Sequence, residues 1–366
     1  MGRSIVVCTF SAANNFGAVL QCYGLVNVLG EIAPNTDIQV YSDENDIFKN
    51  VYRLIYKPTS VKSALKMTLN YLPRRKCKKK FDQFRNKFFQ MTTQANYKDW
   101  KLFICGSDQV WNPQYVRDKS PYWGDVDMPQ KCICASYAAS LGVSVLNEAE
   151  KRMLFEKLKN FDYISVREES GKQIIEQFTD KNVLQHCDPV LLPQRKVWED
   201  LAKKNRKQNS GNYVLIFSLS RRDFVKSIAT NYAEENGFKV IEIYLAEKNM
   251  ETIFRRDQRN DVGPLDFLSL IYNAECIFTS SFHCSLFAMI FHKRFYTIPH
   301  ETTGSRIIDL MKKYHLEDQI INAPNQILPQ KDIDYTFFEE ESSRDRNKAI
   351  DYLYNLIGEC DEKNSN

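Results

Sequence analysis

The sequence predicts an α/β protein made of two Rossmann-like units, each built on a mostly parallel β-sheet, with a ligand cleft between them. Short apolar runs alternate with amphipathic segments, and this alternation is typical of parallel sheets covered by helices on both faces. The pattern occurs twice, with a proline-containing and then polar segment between the two series. With 366 residues, of which 43% are hydrophobic, the chain exceeds one average domain and can bury a sizeable core.

The first series contains five candidate strands and five helix-like segments. The candidate strands are Ser4–Phe10, Ile38–Tyr41, Leu102–Cys105, Ile133–Tyr137 and Tyr163–Val166. The helix-like segments lie near residues 18–30, 60–72, 78–90, 148–160 and 170–178. Pro73 separates the second segment from the third, because proline removes a helical hydrogen bond and its ring clashes with the preceding turn.

The second series follows a break that contains Pro189, Pro193 and the polar connector Lys203–Asn212. Its candidate strands are Tyr213–Leu219, Lys239–Tyr244, Cys276–Thr279, Phe295–Ile298 and the short Ile320–Ile321. Its helix-like segments lie near 222–236, 265–273, 284–292 and 304–315, and Phe337–Gly358 also has helical spacing. We therefore expect an N-terminal unit over 1–195, a C-terminal unit over 196–336, and a C-terminal helix and tail over 337–366.

Composition argues against several classes of function. The net charge of +4 is small for this length and the sequence carries no nucleic-acid-binding module, so we expect no nucleic-acid partner. The ten cysteines are scattered without a CxxC pair, which favours reduced thiols over a disulfide framework or a zinc site. The N-terminal apolar run is too short for a signal peptide, and no run reaches the ~18 residues of a membrane span. We expect a metal-free cytoplasmic protein.

Polar residues follow one apolar strand in the first series, and ligands of parallel sheets bind beyond the carboxyl ends of the strands. The segment Gly106-Ser107-Asp108-Gln109 comes directly after the strand that ends at Cys105. A glycine there lets the backbone turn or approach a ligand closely, and Asp108 would then face the cleft. The alternative is that Ser107 or Asp108 caps a following helix.

Two further strand ends carry a charged or titratable side chain. Arg167 directly follows a strand, and its planar guanidinium matches carboxylate and phosphate groups. The alternative is an exposed salt bridge to Glu168 or Glu169, which would contribute little. His283 lies between a strand end and a helix start, where an imidazole can act as a general acid near neutral pH; a buried structural histidine is the alternative.

Two loops give weaker signals. Asn15 and Gly17 lie between the first strand and the first helix, where backbone N–H groups could hold an anion or Asn15 could simply cap the helix. The small residues of Ala135–Gly142, which include Ser140, could leave space for a ligand or allow tight packing. These residues alone do not define a reaction, and the sequence contains no Walker loop, HExxH or GxGxxG motif.

Taken in order, these segments resemble the polysaccharide pyruvyl transferase family across nearly the whole chain, from about residue 5 to residue 310. The octapeptide GSDQVWNP, Gly106–Pro113, is the most specific element. The other elements are Asn15–Gln21 (NFGAVLQ), Tyr137–Ser140 (YAAS), Ser165–Ser170 (SVREES), Asp188–Leu192 (DPVLL), Gly263-Pro264 followed by Phe267-Leu268, and Ser281–His283 (SFH).

The resemblance implies a fold like that of two-lobed GT-B glycosyltransferases and transfer of pyruvate from phosphoenolpyruvate to a sugar. The product would be a cyclic pyruvate ketal on two hydroxyls of a hexose, such as galactose or N-acetylmannosamine, with release of phosphate. The setting would be the synthesis of a bacterial capsule, exopolysaccharide or cell-wall polymer. No cofactor is implied, since phosphoenolpyruvate is the donor substrate, and the acceptor would be a free or lipid-linked sugar.

The resemblance also implies roles for individual residues. His283 would be the proton donor or a phosphate contact, Arg167 the clamp for carboxylate and phosphate, and Asp108 the base or a sugar contact. Trp111 would line the acceptor side, with a place in the core as the alternative. The expected substrate contacts are Asn15, Gly17, Ser107, Gln109, Trp111, Ser140, Ser281, Arg221 and Arg306.

One departure from the family concerns positive charge. Some members have an arginine two positions before the histidine, where this chain has Ser281. Arg221, Arg222, Lys293 or Arg306 could substitute, and the sequence does not choose among them. A weaker donor affinity and a different donor are both compatible with this departure.

Two other functions and one membrane contact stay open at this point. The fold also suits a glycosyltransferase that uses a nucleotide sugar, or a non-catalytic polysaccharide-binding or assembly protein. The basic run Arg74–Lys80 is either a solvated surface or a contact with anionic lipid. The second reading would place a cytoplasmic protein peripherally on the inner face of the membrane.

Overall fold

Two five-stranded parallel β-sheets organise the chain, one in each of two units. Unit 1 comprises Met1–Val51, Arg85–Pro193 and Glu340–Asn366, and unit 2 comprises Tyr52–Phe84 and Gln194–Glu339. The structure, a computed structural model, describes residues 4–42, 60–143, 145–204, 212–244, 257–300, 304–323, 326–329 and 331–365.

The break after Pro193 lies close to the predicted boundary at 195. Two segments are grouped differently from the expectation. Residues 52–84 group with unit 2 rather than with the N-terminal unit, and the tail from Glu340 onward groups with unit 1. Sequence order does not reveal such exchanges, because a long helix can carry the chain from one unit to the other.

Unit 1 is built on a sheet with the strand order β3-β2-β1-β4-β5. Its elements, together with the helix that enters it from unit 2, are β1 (Ser4–Cys8), α1 (Phe16–Ile32), β2 (Ile38–Tyr41), α2 (Val61–Phe88), β3 (Gln90–Thr92), β4 (Trp100–Cys105), β5 (Ile133–Ser136), α3 (Glu148–Leu158), β6 (Ile164–Val166), α4 (Glu169–Ile175) and β7 (Val183–Gln185). The central strands β1 and β4 are buried at every position, as expected of parallel strands covered on both faces.

The segment after β5 connects this sheet to the smaller β6–β7 pair. Ala139 forms parallel bridges with both Asp108 and Val166. The Arg167 N–H donates to the Ala139 carbonyl at 3.1 Å, and the Ser140 N–H donates to the Asp108 carbonyl at 3.0 Å. Residues from three consecutive strand ends therefore lie side by side at one edge of unit 1.

Unit 2 contains a sheet with the strand order β10-β9-β8-β11-β12. Its elements are α5 (Arg195–Lys203), β8 (Tyr213–Phe217), α6 (Arg222–Asn236), β9 (Lys239–Ile243), β10 (Gln258–Arg259), α7 (Pro264–Asn273), β11 (Cys276–Thr279), α8 (Phe282–Ile290), β12 (Arg294–Thr297), α9 (Ser305–Lys313) and the start of α10 (Thr336–Ser365). Buried residues of the central strands β8 and β11, such as Ile216 and Phe278, pack with Tyr232 of α6 in one hydrophobic cluster. Short 3₁₀ turns occur at Gln94–Asp99, Pro121–Trp123, Pro189–Leu191 and Glu317–Gln319.

The predicted helix break at Pro73 is wrong, because α2 runs through the proline without interruption. Contacts within unit 2 hold the helix on both sides of it. The Asn260 amide donates to Asn70 Oδ1 at 3.2 Å, and the Cys77 thiol contacts the Val262 carbonyl at 3.1 Å. Such tertiary contacts can offset the roughly 3 kcal/mol that an interior proline costs a helix.

Among the described residues, no helix has both the length and the apolar character to cross a membrane. The ten cysteines are free thiols, and most of them are buried. Burial raises the pKa of several of these thiols, for example that of Cys276 to about 12.

Candidate active site

Asp108 has an unusual backbone conformation at the carboxyl edge of the unit 1 sheet. Its φ is 75°, in the left-handed region that few non-glycine residues occupy. Its carbonyl accepts from the Ser140 and Val110 N–H groups, and its Oδ1 accepts from the Gln109 N–H at 2.9 Å. No helix starts at this point, so the helix-capping interpretation of Ser107 and Asp108 is wrong. The Asp108 side chain is half-buried.

A second strained residue lies at the end of the neighbouring strand. Ala138 follows β5 with a φ of 50°, and its N–H donates to the Ser165 hydroxyl at 3.1 Å. Residues held in rare conformations cluster at functional sites, because the surrounding structure must hold them there. Two such residues at adjacent strand ends make this edge of unit 1 the strongest candidate for a substrate contact.

Arg167 is the centre of a buried ionic network at the same edge. Its Nη1 lies 2.8 Å from Asp188 Oδ2, and its Nε lies 2.8 Å from Glu168 Oε1. Glu168 Oε1 also accepts from the Ser140 hydroxyl at 2.9 Å, and Ser107 Oγ lies 3.5 Å from Asp188 Oδ2. Only 3% of the Arg167 side chain is exposed. The salt bridge with Glu168 thus exists, but the expectation that it would be exposed and weak is wrong.

Charge in this network argues against Arg167 as the clamp for an anionic donor. Burial alone would lower the pKa of Arg167, but the carboxylates of Glu168, Asp188 and Asp108 more than offset it and raise the pKa. Three carboxylates among the described residues therefore act on this one guanidinium. Negative charge so close to Arg167 disfavours a trianionic donor there, whereas the hydroxyls of a neutral sugar carry no charge to repel.

The other candidates in the octapeptide have structural contacts. Trp111 is fully buried, stacks on Trp123 at a centroid distance of 5.9 Å, and donates through Nε1 to the Tyr122 carbonyl. It is a core residue, and its predicted place on the acceptor side is wrong. Gln109 Oε1 accepts from the Asn112 amide at 2.7 Å.

Asn15 caps α1, as the simpler interpretation of this loop predicts. Its side-chain oxygen accepts from the Ala18 N–H at 3.3 Å, and Gly17 is buried in the first turn of the helix. The guanidinium of Arg85 donates to the carbonyls of Ser11, Ala12 and Ala13 and to Asn14 Oδ1. These contacts fix the loop before the helix and supply no observation in favour of an anion site.

In unit 2, Ser280 and Ser281 organise the junction between β11 and α8. The Ser280 hydroxyl accepts from the backbone N–H groups of Leu219 and Ser220 at 2.9 and 3.1 Å, which ties the loop after β8 to the end of β11. The Ser281 hydroxyl caps α8 by accepting from the Cys284 N–H at 3.4 Å. Ser281 is thus a helix cap, and its side chain does not replace the family arginine in charge.

His283 lies in the first turn of α8, where the backbone N–H groups of a helix favour negative charge. The residue is 8% exposed, and its ring contacts that of Phe282 edge to face at 5.3 Å. The neighbouring Cys284 is fully buried, and burial raises the pKa of its thiol to about 12. Because a thiol with this pKa is protonated near neutral pH, Cys284 is not an activated nucleophile.

The possible replacements for the missing arginine differ in their contacts. Arg222 pairs with the buried Glu242 at 2.6 Å, so its charge is already used. Arg221 precedes α6 with a φ of 50°, and Arg306 is the second residue of α9. Burial lowers the pKa of Lys293. Arg221 and Arg306 both lie at helix N-termini, where backbone N–H groups also favour an anion.

Sequence reasoning missed three residues that shape these edges. Asp188 holds Arg167 together with the anticipated Glu168, Ser280 holds the loop after β8, and Arg85 holds the loop before α1. Asp188 lies in the segment DPVLL, and this family motif was the one feature of the sequence that could have indicated its role. In the described part of the chain, no group of three or more His, Cys, Asp or Glu residues is placed to hold a metal ion.

Comparisons with known proteins bear on both units. A family model described as "Polysaccharide pyruvyl transferase" matches residues 15–302. Comparison with curated proteins gives no match.

Among solved structures, the UDP-GlcNAc 2-epimerase from Methanocaldococcus jannaschii is similar with a TM-score of 0.52 and 13% identity, covering 97% of this chain and 100% of that chain. The UDP-GlcNAc 2-epimerase from Neisseria meningitidis gives 0.49 and 12%, with 98% and 99% covered. The glycosyltransferase SnogD from Streptomyces nogalater gives 0.45 and 9%, with 98% and 100% covered. At these identities the likeness concerns the fold alone, and the predicted GT-B-like α/β fold is confirmed.

Proposed function

Because this chain belongs to the polysaccharide pyruvyl transferase family, we propose that it transfers the pyruvyl group of phosphoenolpyruvate to a hexose of a bacterial surface polysaccharide or of its lipid-linked precursor. The product is a cyclic pyruvate ketal. The observation that carries this proposal is Asp108, a half-buried carboxylate in a left-handed backbone conformation within the segment that the family model matches.

The reaction joins one donor carbon to two sugar oxygens. A proton adds to the methylene carbon of phosphoenolpyruvate, and positive charge develops at the neighbouring carbon. One sugar hydroxyl attacks that carbon, the carbon–oxygen bond to phosphate breaks, and a second hydroxyl closes the ketal. Of the two hydroxyl protons released, one balances the proton gained by carbon and the other leaves with phosphate. The reaction therefore needs an acid, a base and cations for the donor.

The distribution of charge supports different roles for the two units. In unit 1, Asp108 lies beside a network in which Arg167 is outnumbered by carboxylates, which suits an uncharged sugar acceptor. In unit 2, Arg221, His283 and Arg306 lie at the N-terminal ends of helices, which suits an anionic donor. We assign donor contacts to unit 2 and acceptor contacts to unit 1.

Asp108 is proposed as the base that accepts a proton from the attacking hydroxyl. Its backbone position is fixed by hydrogen bonds from Ser140 and Val110, so the carboxylate is held in place before the acceptor binds. His283 is proposed as the proton donor or a phosphate contact, because an imidazole carries a transferable proton near neutral pH.

The test is incubation of the protein with phosphoenolpyruvate and a panel of galactosides and N-acetylmannosaminides, both free and lipid-linked. Mass spectrometry would detect the ketal on the acceptor, and a colorimetric assay would measure phosphate. We expect equal amounts of ketal and phosphate with one acceptor class. Stabilisation against heat by a nucleotide sugar and not by phosphoenolpyruvate would instead identify a glycosyltransferase and overturn the proposal.

Two substitutions test the assigned residues. Asp108→Asn keeps the size and tolerates the left-handed backbone but removes the base, so turnover should fall by about 100-fold or more. His283→Asn should have a comparable effect on turnover. The matched control for Asp108→Asn is Asp118→Asn, at a side chain that is 68% exposed. The matched control for His283→Asn is His315→Asn, at an exposed position with a positive φ. Unchanged turnover in both site variants, with unaltered thermal unfolding, would show that the site lies elsewhere.

A further inference from the structure

A stripe of exposed apolar and basic residues runs along one side of α2. Its members are Val61, Leu65, Leu72, Arg75, Lys76 and Lys79. Val61 is 88% exposed, Leu65 46% and Leu72 63%, which is unusual for large hydrophobic side chains on one helix. At about 100° per residue, the six positions fall within an arc of about 100° and extend about 27 Å along the helix axis. We call this surface the α2 stripe.

The opposite side of the helix is fixed to unit 2. Asn70, Cys77 and Phe81 lie about half a turn away from the stripe, and each is in contact with or buried in that unit. Lys80 Nζ lies 2.8 Å from Asp266 Oδ2, whose side chain is 1% exposed. These contacts fix the rotation of α2, so the stripe points outward because of the fold and not because the helix lacks a packed side.

Charge on the helix from Val61 to Phe81 is of one sign. Between Val61 and Phe81 the sequence contains eight basic residues and no acidic residue. The fold neutralises two members of the run Arg74–Lys80, since Lys80 pairs with Asp266 and Lys78 pairs with Asp82 at 2.6 Å. Within the described residues, Arg75, Lys76 and Lys79 form no salt bridge. The exposed charge is thus smaller than the sequence run suggests, and it is aligned with the exposed apolar side chains.

We propose that the α2 stripe binds the surface of an anionic lipid bilayer, with Leu65 and Leu72 inserted at the level of the headgroups and Arg75, Lys76 and Lys79 against lipid phosphates. Insertion of apolar side chains among the headgroups and attraction of basic residues to anionic lipid both strengthen membrane binding, and the α2 stripe presents both on one accessible side of the helix. A second copy of the chain is a less suitable partner, because isologous pairing would set the basic half of one stripe against either the apolar or the basic half of the other, and neither half supplies negative charge.

The test is co-sedimentation of the full chain with phosphatidylcholine vesicles that contain or lack phosphatidylglycerol. No donor or acceptor sugar is present, so the outcome does not depend on the proposed reaction. We expect binding only to the phosphatidylglycerol vesicles, weakening as salt screens the charges. Failure of the wild-type chain to bind these vesicles at low salt would overturn the proposal.

Variants separate the stripe from general basicity. The triple variant Arg75→Gln, Lys76→Gln, Lys79→Gln should bind about 100-fold more weakly, since each basic residue contributes roughly a five-fold effect. The control triple Lys172→Gln, Lys196→Gln, Arg344→Gln lowers the net charge equally, from +4 to +1, at partly or fully exposed side chains. It should bind within about threefold of wild type. An equal loss in both triples would mean that net charge, and not the stripe, drives binding.

The apolar part of the stripe has its own test. Leu65→Gln with Leu72→Gln should remove the binding that persists at high salt, because salt does not screen apolar insertion. The same variant is examined by analytical ultracentrifugation. If it dissociates a dimer while vesicle binding stays unchanged, the stripe is an interface between two copies and the proposal is wrong.

Discussion

Replacement of Arg167 by methionine tests the buried ionic network most directly. Arg167→Met keeps much of the side-chain volume but removes the charge that faces Asp188 and Glu168. The side chains of these carboxylates are 1% and 8% exposed, so water cannot replace the lost partner. Removing one member of a buried ion pair costs about 3–5 kcal/mol. For a unit of roughly 150–250 residues, that corresponds to a fall in Tm of about 6–20 °C.

The assay is thermal unfolding followed by circular dichroism, with two comparison variants. The triple variant Arg167→Met, Glu168→Gln, Asp188→Asn removes the unpaired carboxylates as well. It keeps the oxygens that accept from the Ser140 hydroxyl and the Val190 N–H. We expect it to recover most of the lost stability, because a neutral network leaves no uncompensated charge.

The second comparison is Arg344→Met, at a side chain that is 63% exposed and pairs with Glu341 on the surface. It should change the free energy of unfolding by less than about 1 kcal/mol. A loss below about 1 kcal/mol in Arg167→Met as well, or no recovery in the triple variant, would refute the conclusion that Arg167 is held as a buried structural charge.

Two other predictions concern pH and backbone conformation. Burial alone would raise the pKa of Glu242, but its hydrogen bond to Arg222 and that cation's charge outweigh burial and lower the pKa below its usual value of 4.5. The stabilisation is therefore present above pH 4.5 and lost as the pH falls through the lowered pKa. Glu242→Gln should cost about 1–3 kcal/mol at pH 7 and progressively less in acid, measured by urea unfolding; a cost independent of pH would contradict this. Gly142→Ala should destabilise by about 1–2 kcal/mol, because φ is +65° and the new Cβ would lie 2.2 Å from Gln109 Oε1. Gly30→Ala, an exposed helical control with open space around it, should be neutral or slightly stabilising, and equal effects of the two would count against the argument.

The strongly apolar strands were predictable from sequence, whereas the short edge strands were not. The nine predicted strands of the two main sheets and of β6 are present, including β1, β4, β8 and β11 in the sheet centres. The strands β3, β7 and β10 contain three residues or fewer, and each includes a polar residue at one end that hides its strand character. Helix α5 was missed although Trp198, Leu201 and Ala202 have helical spacing and are buried. The polar connector after it obscured that signal.

The candidate site was predicted in part. The positions of Asp108, Arg167 and His283 just beyond strand ends followed from the apolar runs that precede them, and each lies there. The second partner of Arg167 could not be predicted, because Asp188 lies 21 residues further along the chain and reaches it through β7. The burial of Trp111 was likewise undecided, since a tryptophan after a strand suits a core and a sugar site equally.

The sequence by itself determined the alternation of strands and helices, the two α/β series and the membership of the family, because these depend on local apolar patterns and on contiguous motifs. Tertiary structure alone decided that α2 continues through Pro73, that Lys80 of its basic run is paired with Asp266, and that Arg167 also pairs with Asp188. Each of these depends on contacts between residues far apart in the chain. Burial then changes their energies, because a charge removed from water interacts strongly with whatever the fold places beside it.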